Sequence, residues 1–112
     1  MKKVISLKSS REFSQVYNHK ESLANKYLVM YIQPNDQMYS RIGISVSKKV
    51  GNSVVRHRIK RLIKESYRLN IDKIASGYDI VVVARYTAKG KTFSEIESAF
   101  LHLCHKLKIK TL

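Results

Sequence analysis

Residues 45–68, SVSKKVGNSVVRHRIKRLIKESYR, constrain the fold more than any other stretch of this 112-residue chain. They read as a short strand, a basic turn and a helix with two chemically opposed faces. At about 100° per residue, Val55, Ile59, Leu62, Ile63 and Ser66 fall on one side, a stripe of the width that docks a helix on a core. His57, Arg58, Lys60, Arg61, Lys64 and Arg68 spread over the other, with Glu65 the only acid among them. A solvated face normally mixes signs, because like charges at i,i+4 cost roughly a few tenths of a kcal/mol each. This face is therefore read as built for a polyanion. The plainer alternative is a merely soluble surface, since charge runs alone are weak evidence.

The rest of the chain repeats that bias. Lys and Arg number 22 against 8 Asp and Glu, a net charge of +14. Such an excess repels itself in the compact state and draws anionic partners, with nucleic acid the first candidate and an anionic membrane surface the second. At 44% hydrophobic residues the chain is globular, and its length suits one domain spanning 1–112. No apolar run reaches membrane-spanning length. The opening MKKVISLKSS lacks the apolar core of a signal peptide. Cys104, the single cysteine, excludes an intrachain disulfide and fits a reducing cytoplasm.

In chain order, residues 1–8 are basic and expected to be loose. Ser9 and Glu12 form a capping box that starts a short helix ending near Asn18, with Phe13, Val16 and Tyr17 on one side. Residues 19–26 read as a polar connection. Residues 27–33 are a strand by β-branched and aromatic content, with Leu28, Met30 and Ile32 opposite Tyr27, Val29, Tyr31 and Gln33. A turn at 34–37 leads into a strand at 38–47, expected to be its antiparallel hairpin partner. There Ile42, Ile44 and Val46 alternate with Arg41, Gly43, Ser45 and Ser47, so the second face is small or basic and open to a neighbour. Asn52 or Ser53 is the expected N-cap of the central helix. Residues 78–85 are nearly all apolar, as in a strand covered on both faces. Thr92 and Glu95 make a second capping box for a last helix that buries Ile96, Ala99, Phe100, Leu103 and Leu107. The tail is basic again. The order α-β-β-α-β-α, with the strands around the central helix as parallel neighbours, predicts an α+β sandwich.

Catalytic signals are missing. Of the eight acids only Glu95 and Glu97 are close in sequence, and i,i+2 on a helix turns them apart. There is no phosphate-binding glycine loop and no nucleophile elbow. His102, Cys104 and His105 do not converge on one helical face, so no metal site is assigned and Cys104 reads as a small buried residue. The basic helix carries few side chains that read base edges; its cations suit a backbone. Tyr27, Tyr31, Phe13 and Tyr17 offer stacking surfaces for unpaired bases. The residues alone thus indicate a backbone-binding RNA module with a single-strand groove.

Residues 45–65 closely resemble the signature of the protein subunit of bacterial ribonuclease P: a Lys-Lys-hydrophobic-Gly-Asn turn followed by an Arg-Asn-Arg-hydrophobic-Lys-Arg helix. The similarity extends to Glu12-Phe13, the tyrosine-ending strand, Arg41-Ile42-Gly43, Asp79-Ile80-Val81 and the final helix. The resemblance implies a two-layer α+β sandwich of order α-β-β-(β)-α-β-α, one short strand more than the order above. Its βαβ crossover is left-handed (ribosomal protein S5 domain 2-like), against the usual hand. It implies a noncatalytic protein that assists a catalytic RNA, which uses its own magnesium to remove the 5′ leader of precursor tRNA. No cofactor of the protein and no protein partner are implied. Contacts to the catalytic RNA fall on Lys48, Lys49, Asn52, Arg56, His57, Arg58, Lys60, Arg61, Lys64 and Arg68. The leader-binding set is Phe13, Tyr17, Tyr27, Tyr31 and Arg41. His57 departs from the family's asparagine; it can still donate to a phosphate, more strongly when protonated. The alternative reading is a ribosomal or assembly RNA-binding protein without an enzymatic partner.

Overall fold

A computed structural model describes residues 3–111. The elements are α1 (Ser10–His19), β1 (Glu21–Ala24), β2 (Leu28–Pro34), β3 (Arg41–Ser45), α2 (Ser53–Asn70), β4 (Tyr78–Ala84) and α3 (Phe93–Lys106), with 3-10 turns at Ile71–Lys73 and Tyr86–Ala88. One sheet has the order β1-β2-β4-β3. The uninterrupted apolar run of β4 explains this order. A strand that is apolar on both faces belongs where both are covered. β4 pairs antiparallel with β2, from Leu28↔Ala84 to Pro34↔Tyr78, and parallel with β3, from Arg41↔Asp79 to Ser45↔Val83. The strands on either side of α2 are thus parallel neighbours, as the sequence predicts.

The expected β2–β3 hairpin is not formed. β4 takes the place between them, and the strand predicted at 38–47 shortens to Arg41–Ser45. The preceding residues make a pinned loop: Asn35 Oδ1 accepts from Gln37 N at 2.8 Å, and Asp36 adopts φ 58°. Met38, read as strand, is almost fully exposed. Two segments read as irregular, and the tail read only as basic, are structured. Residues 21–24 form β1, wholly exposed on the sheet edge, so no burial pattern marked it. Residues 5–7 are not loose: Leu7 N donates to Ile42 O and Ile42 N to Ile5 O, both at 2.9 Å, and Leu7 is buried. In the tail, Ile109 is fully buried and Lys110 bridges to Ile74.

Alternation along the strands separates two apolar clusters. Leu28, Met30, Ile32, Ile80 and Val82 face α2 and α3, where Tyr67 and Phe100 meet edge to face at 6.3 Å. Cys104 is buried there, its thiol pushed up to about 12 by burial. Val81 faces the other way and packs with Val16 and Leu7 under α1. Both predicted capping boxes form, at Ser9/Glu12 and Thr92/Glu95. Leu107 is only half-buried, because α3 ends there. No helix among the described residues is long and apolar enough to cross a membrane.

Candidate nucleic-acid interface

The basic helix begins at Asn52, whose Oδ1 accepts from Val55 N at 3.0 Å. Gly51 precedes it at a position where a Cβ would lie 2.7 Å from Val55 Cγ1, so only glycine fits the entry. Lys48 and Lys49 are exposed on the leading turn while Val50 is buried, anchoring that turn to the core. Ile59 and Ile63 are fully buried. On the outward side His57, Lys60, Arg61 and Lys64 are exposed, and none has a carboxylate within ion-pair distance among the described residues. Arg68 is also exposed but engaged: its Nε donates to Glu65 Oε1 at 3.0 Å. Arg56 and Arg58 are half-buried on the flanks, and Arg56 Nε is buried without a hydrogen-bond partner. On α2 the exposed cations without an acid therefore form one helical row, and Arg56, Arg58 and Arg68 are less available than their spacing implied.

α1 crosses the opposite face of the sheet and leaves an aromatic cleft. Tyr17 and Tyr31 meet edge to face at 4.8 Å, half-buried. Burial pushes the Tyr17 phenol up, against a hydrogen bond with Ser45. Phe13 lies on Gly43, where an added Cβ would sit 2.6 Å from Phe13 Cζ. The small face predicted for β3 is thus what receives the helix. Beside these rings is a cavity of about 460 Å³, whose rim includes Lys8, Ser10, Ser14, Ser45 and Lys60. Lys60 brings the basic row to the cleft. Lys8 and the serines carried no signal in sequence, because only the crossing of α1 over β3 assembles them.

Two residues of the leader-binding set stand elsewhere. Tyr27 packs against the α2/α3 cluster, between the ammonium groups of Lys26 at 5.6 Å and Lys91 at 5.4 Å. Strand alternation placed it with Tyr31. However, Asn25 Oδ1 accepts from Tyr27 N and Leu28 N, and this turn ends the alternation before residue 28. Arg41 is a brace. Its Nε donates to Asp79 Oδ1 at 2.9 Å, Nη2 to Asp79 Oδ2 at 2.6 Å and Nη1 to Glu12 Oε2 at 2.7 Å. Glu12 in turn accepts from Lys8 N and Ser9 N; these backbone donors, more than Arg41, hold its carboxyl below the usual range. Asp79 gives the guanidinium its raised pKa. Arg41 thereby fastens α1 to the β3–β4 edge instead of offering its fork to the cleft.

Cations that hold no acid, an aromatic cleft and a lysine joining them suit an extended polyanion with unpaired bases. A Ribonuclease P family model matches residues 1–108. The ribonuclease P protein component of Lachnoclostridium phytofermentans is 62% identical over 104 residues, 93% of this chain and 90% of that protein. That of Clostridioides difficile is 54% identical over 104 residues, 92% of this chain and 91% of the other. Among solved structures, the Staphylococcus aureus RNase P protein superposes with a TM-score of 0.88 at 36% identity, covering 96% of this chain and 99% of that one. The Thermotoga maritima protein gives 0.83 at 31% identity, covering 90% and 96%. Motif, architecture and whole-length similarity agree, and the chain belongs to the bacterial ribonuclease P protein family.

Proposed function

We propose that the chain acts in tRNA 5′ processing by docking α2 on ribonuclease P RNA while the α1 cleft holds the single-stranded leader of precursor tRNA. The observation that carries this reading is the row His57, Lys60, Arg61 and Lys64, exposed and without acidic partners, of which Lys60 reaches the cavity lined by Phe13 and Tyr17, with Tyr31 packed against Tyr17. Each cation that neutralises a phosphate releases counterions, so the row supplies affinity without base choice. The rings supply stacking that any unpaired base satisfies.

In this reading bond cleavage, and the magnesium that serves it, belong to the RNA. The donor set of the protein does not fit such an ion. Among the described residues no three His, Cys, Asp or Glu converge. Glu12 and Asp79 are committed to Arg41, Glu65 to Arg68, Glu95 to the Thr92 cap and Glu97 to Asn70 Nδ2 at 2.9 Å. In this reading the protein positions the two RNAs, and the groups that break the bond belong to ribonuclease P RNA.

The test is 5′ processing of a precursor tRNA at low magnesium with protein alone, ribonuclease P RNA alone and both together. Cleavage much faster with both is the expected result. Cleavage by protein alone would reveal a catalytic centre in this chain. No stimulation would leave an RNA-binding assembly role in its place.

A further inference from the structure

Phe13 also lines a second cavity, of about 360 Å³, which Tyr17 does not reach. Its floor is apolar: Leu7, Phe13, Ile42, Gly43 and Ile44. One wall is the cationic row of α2, with His57, Lys60, Arg61 and Lys64, and no acid lines it. The size lies in the range of small-ligand sites. The composition is that of a nucleotide: a flat apolar bed for a base, and cations within the same space for its phosphate. Gly43 lets the Phe13 ring lie close against β3, since any side chain there would collide with it. Residues 5–7, zipped onto β3, close the end that a loose terminus would leave open.

We infer that this cavity receives one unpaired nucleotide of ribonuclease P RNA, its base on the Gly43–Phe13 floor and its phosphate on Lys60 and Lys64. The inference rests on the docking of α2 proposed above and adds a base pocket to what was a backbone contact. The occupant is the docked RNA and not the leader, because the wall is the docking helix itself. Tyr17 lines only the cleft, while Phe13, Ile44 and Lys60 border both cavities. Lys60 therefore joins the two RNAs at one point.

The rim residue Ser6 allows the pocket to be filled without touching a charge. Its side chain is exposed and its backbone bridges Ile42. Tryptophan suits such an extended edge position. In reconstituted holoenzyme, Ser6→Trp should weaken binding to ribonuclease P RNA by about fivefold or more, the loss of one stacked base. The slope of affinity against salt should stay as in the unmodified protein, and so should the preference for precursor over mature tRNA. Unchanged RNA affinity overturns the pocket, and a loss confined to precursor tRNA gives it to the leader and equally overturns the assignment. As a check independent of any variant, AMP and UMP should shift the amide resonances of Gly43 and Ile44 where inorganic phosphate does not. Equal shifts with phosphate alone would mean that no base is held. Lys60→Ala with Lys64→Ala tests the underlying docking separately. A salt slope left intact there removes the docking of α2, whatever Ser6→Trp does.

Discussion

Replacing Arg41 with alanine separates a structural brace from a leader contact. In the folded chain three guanidinium N–H groups meet carboxylate oxygens at 2.9, 2.6 and 2.7 Å. The Asp79 side chain is 7% exposed and that of Arg41 26%. In Arg41→Ala, Asp79 keeps one donor, Asn35 Nδ2 at 2.8 Å, with a second oxygen left inside without one. Removing one partner of a fully buried pair costs about 3–5 kcal/mol. The partial exposure of Arg41 lets water replace it in part, so the expected loss is about 2–4 kcal/mol. Urea unfolding followed by far-UV circular dichroism should show this as a lower midpoint at constant slope. Combining Arg41→Ala with Asp79→Asn should cost less than the sum, with a coupling of about 1–2 kcal/mol for groups in one network. The brace also fixes α1, so preference for leader-bearing substrate should fall while the salt slope for ribonuclease P RNA stays unchanged. A stability loss below about 1 kcal/mol together with additivity would refute the argument. So would Arg41→Lys restoring leader preference without stability, which would make the charge itself the leader contact.

Three further outcomes are expected. Lys60→Ala, Arg61→Ala and Lys64→Ala together should flatten the salt dependence of RNA binding by about one unit of log slope per lost phosphate contact, read by filter binding across a salt series; Arg56→Ala, half-buried, should change stability as well. Tyr17→Ala or Tyr31→Ala should weaken precursor tRNA binding by about 1–3 kcal/mol per stacked base, and equal losses with mature tRNA would exclude the cleft as the leader site. Part of the response to acid should run through the caps: Glu12 and Glu95 have carboxyls held below their ordinary value of 4.5, mainly by backbone N–H donors. A depressed folded pKa contributes stability that is present above 4.5 and lost as pH falls through the lowered value. Glu12→Gln should therefore remove part of the acid limb of stability against pH, and an unchanged profile would show that the cap does not couple to folding.

How legible the interface was differs residue by residue. The opposed faces of α2 were readable because helical period is a local property, and burial of Ile59 and Ile63 follows it. Asn52, Ser9 and Thr92 were readable because a cap uses neighbours in sequence. Phe13, Tyr17 and Tyr31 share one cluster, since each sits in a regular element where spacing gives the face. Tyr27 lies one residue outside β2 and follows its turn instead. Arg41 looked like a free cation because its acids stand 29 and 38 positions away. β1 was invisible to residue patterning, though the family resemblance implied one further short strand: a fully exposed edge strand has no alternation to display.

What the amino-acid order determined by itself is therefore what depends on near neighbours: helix period, caps, the doubly apolar β4 and the excess of positive charge. Tertiary structure decided the rest. Backbone pairing is indifferent to which of several apolar strands comes next, so only the competition for the buried central position put β4 between β2 and β3. That choice brought Asp79 to Arg41, laid α1 over Gly43 and set Lys60 between two cavities. A cleft exists only where segments distant in sequence close on one another, and the forces that close them act between surfaces that form after the local elements do.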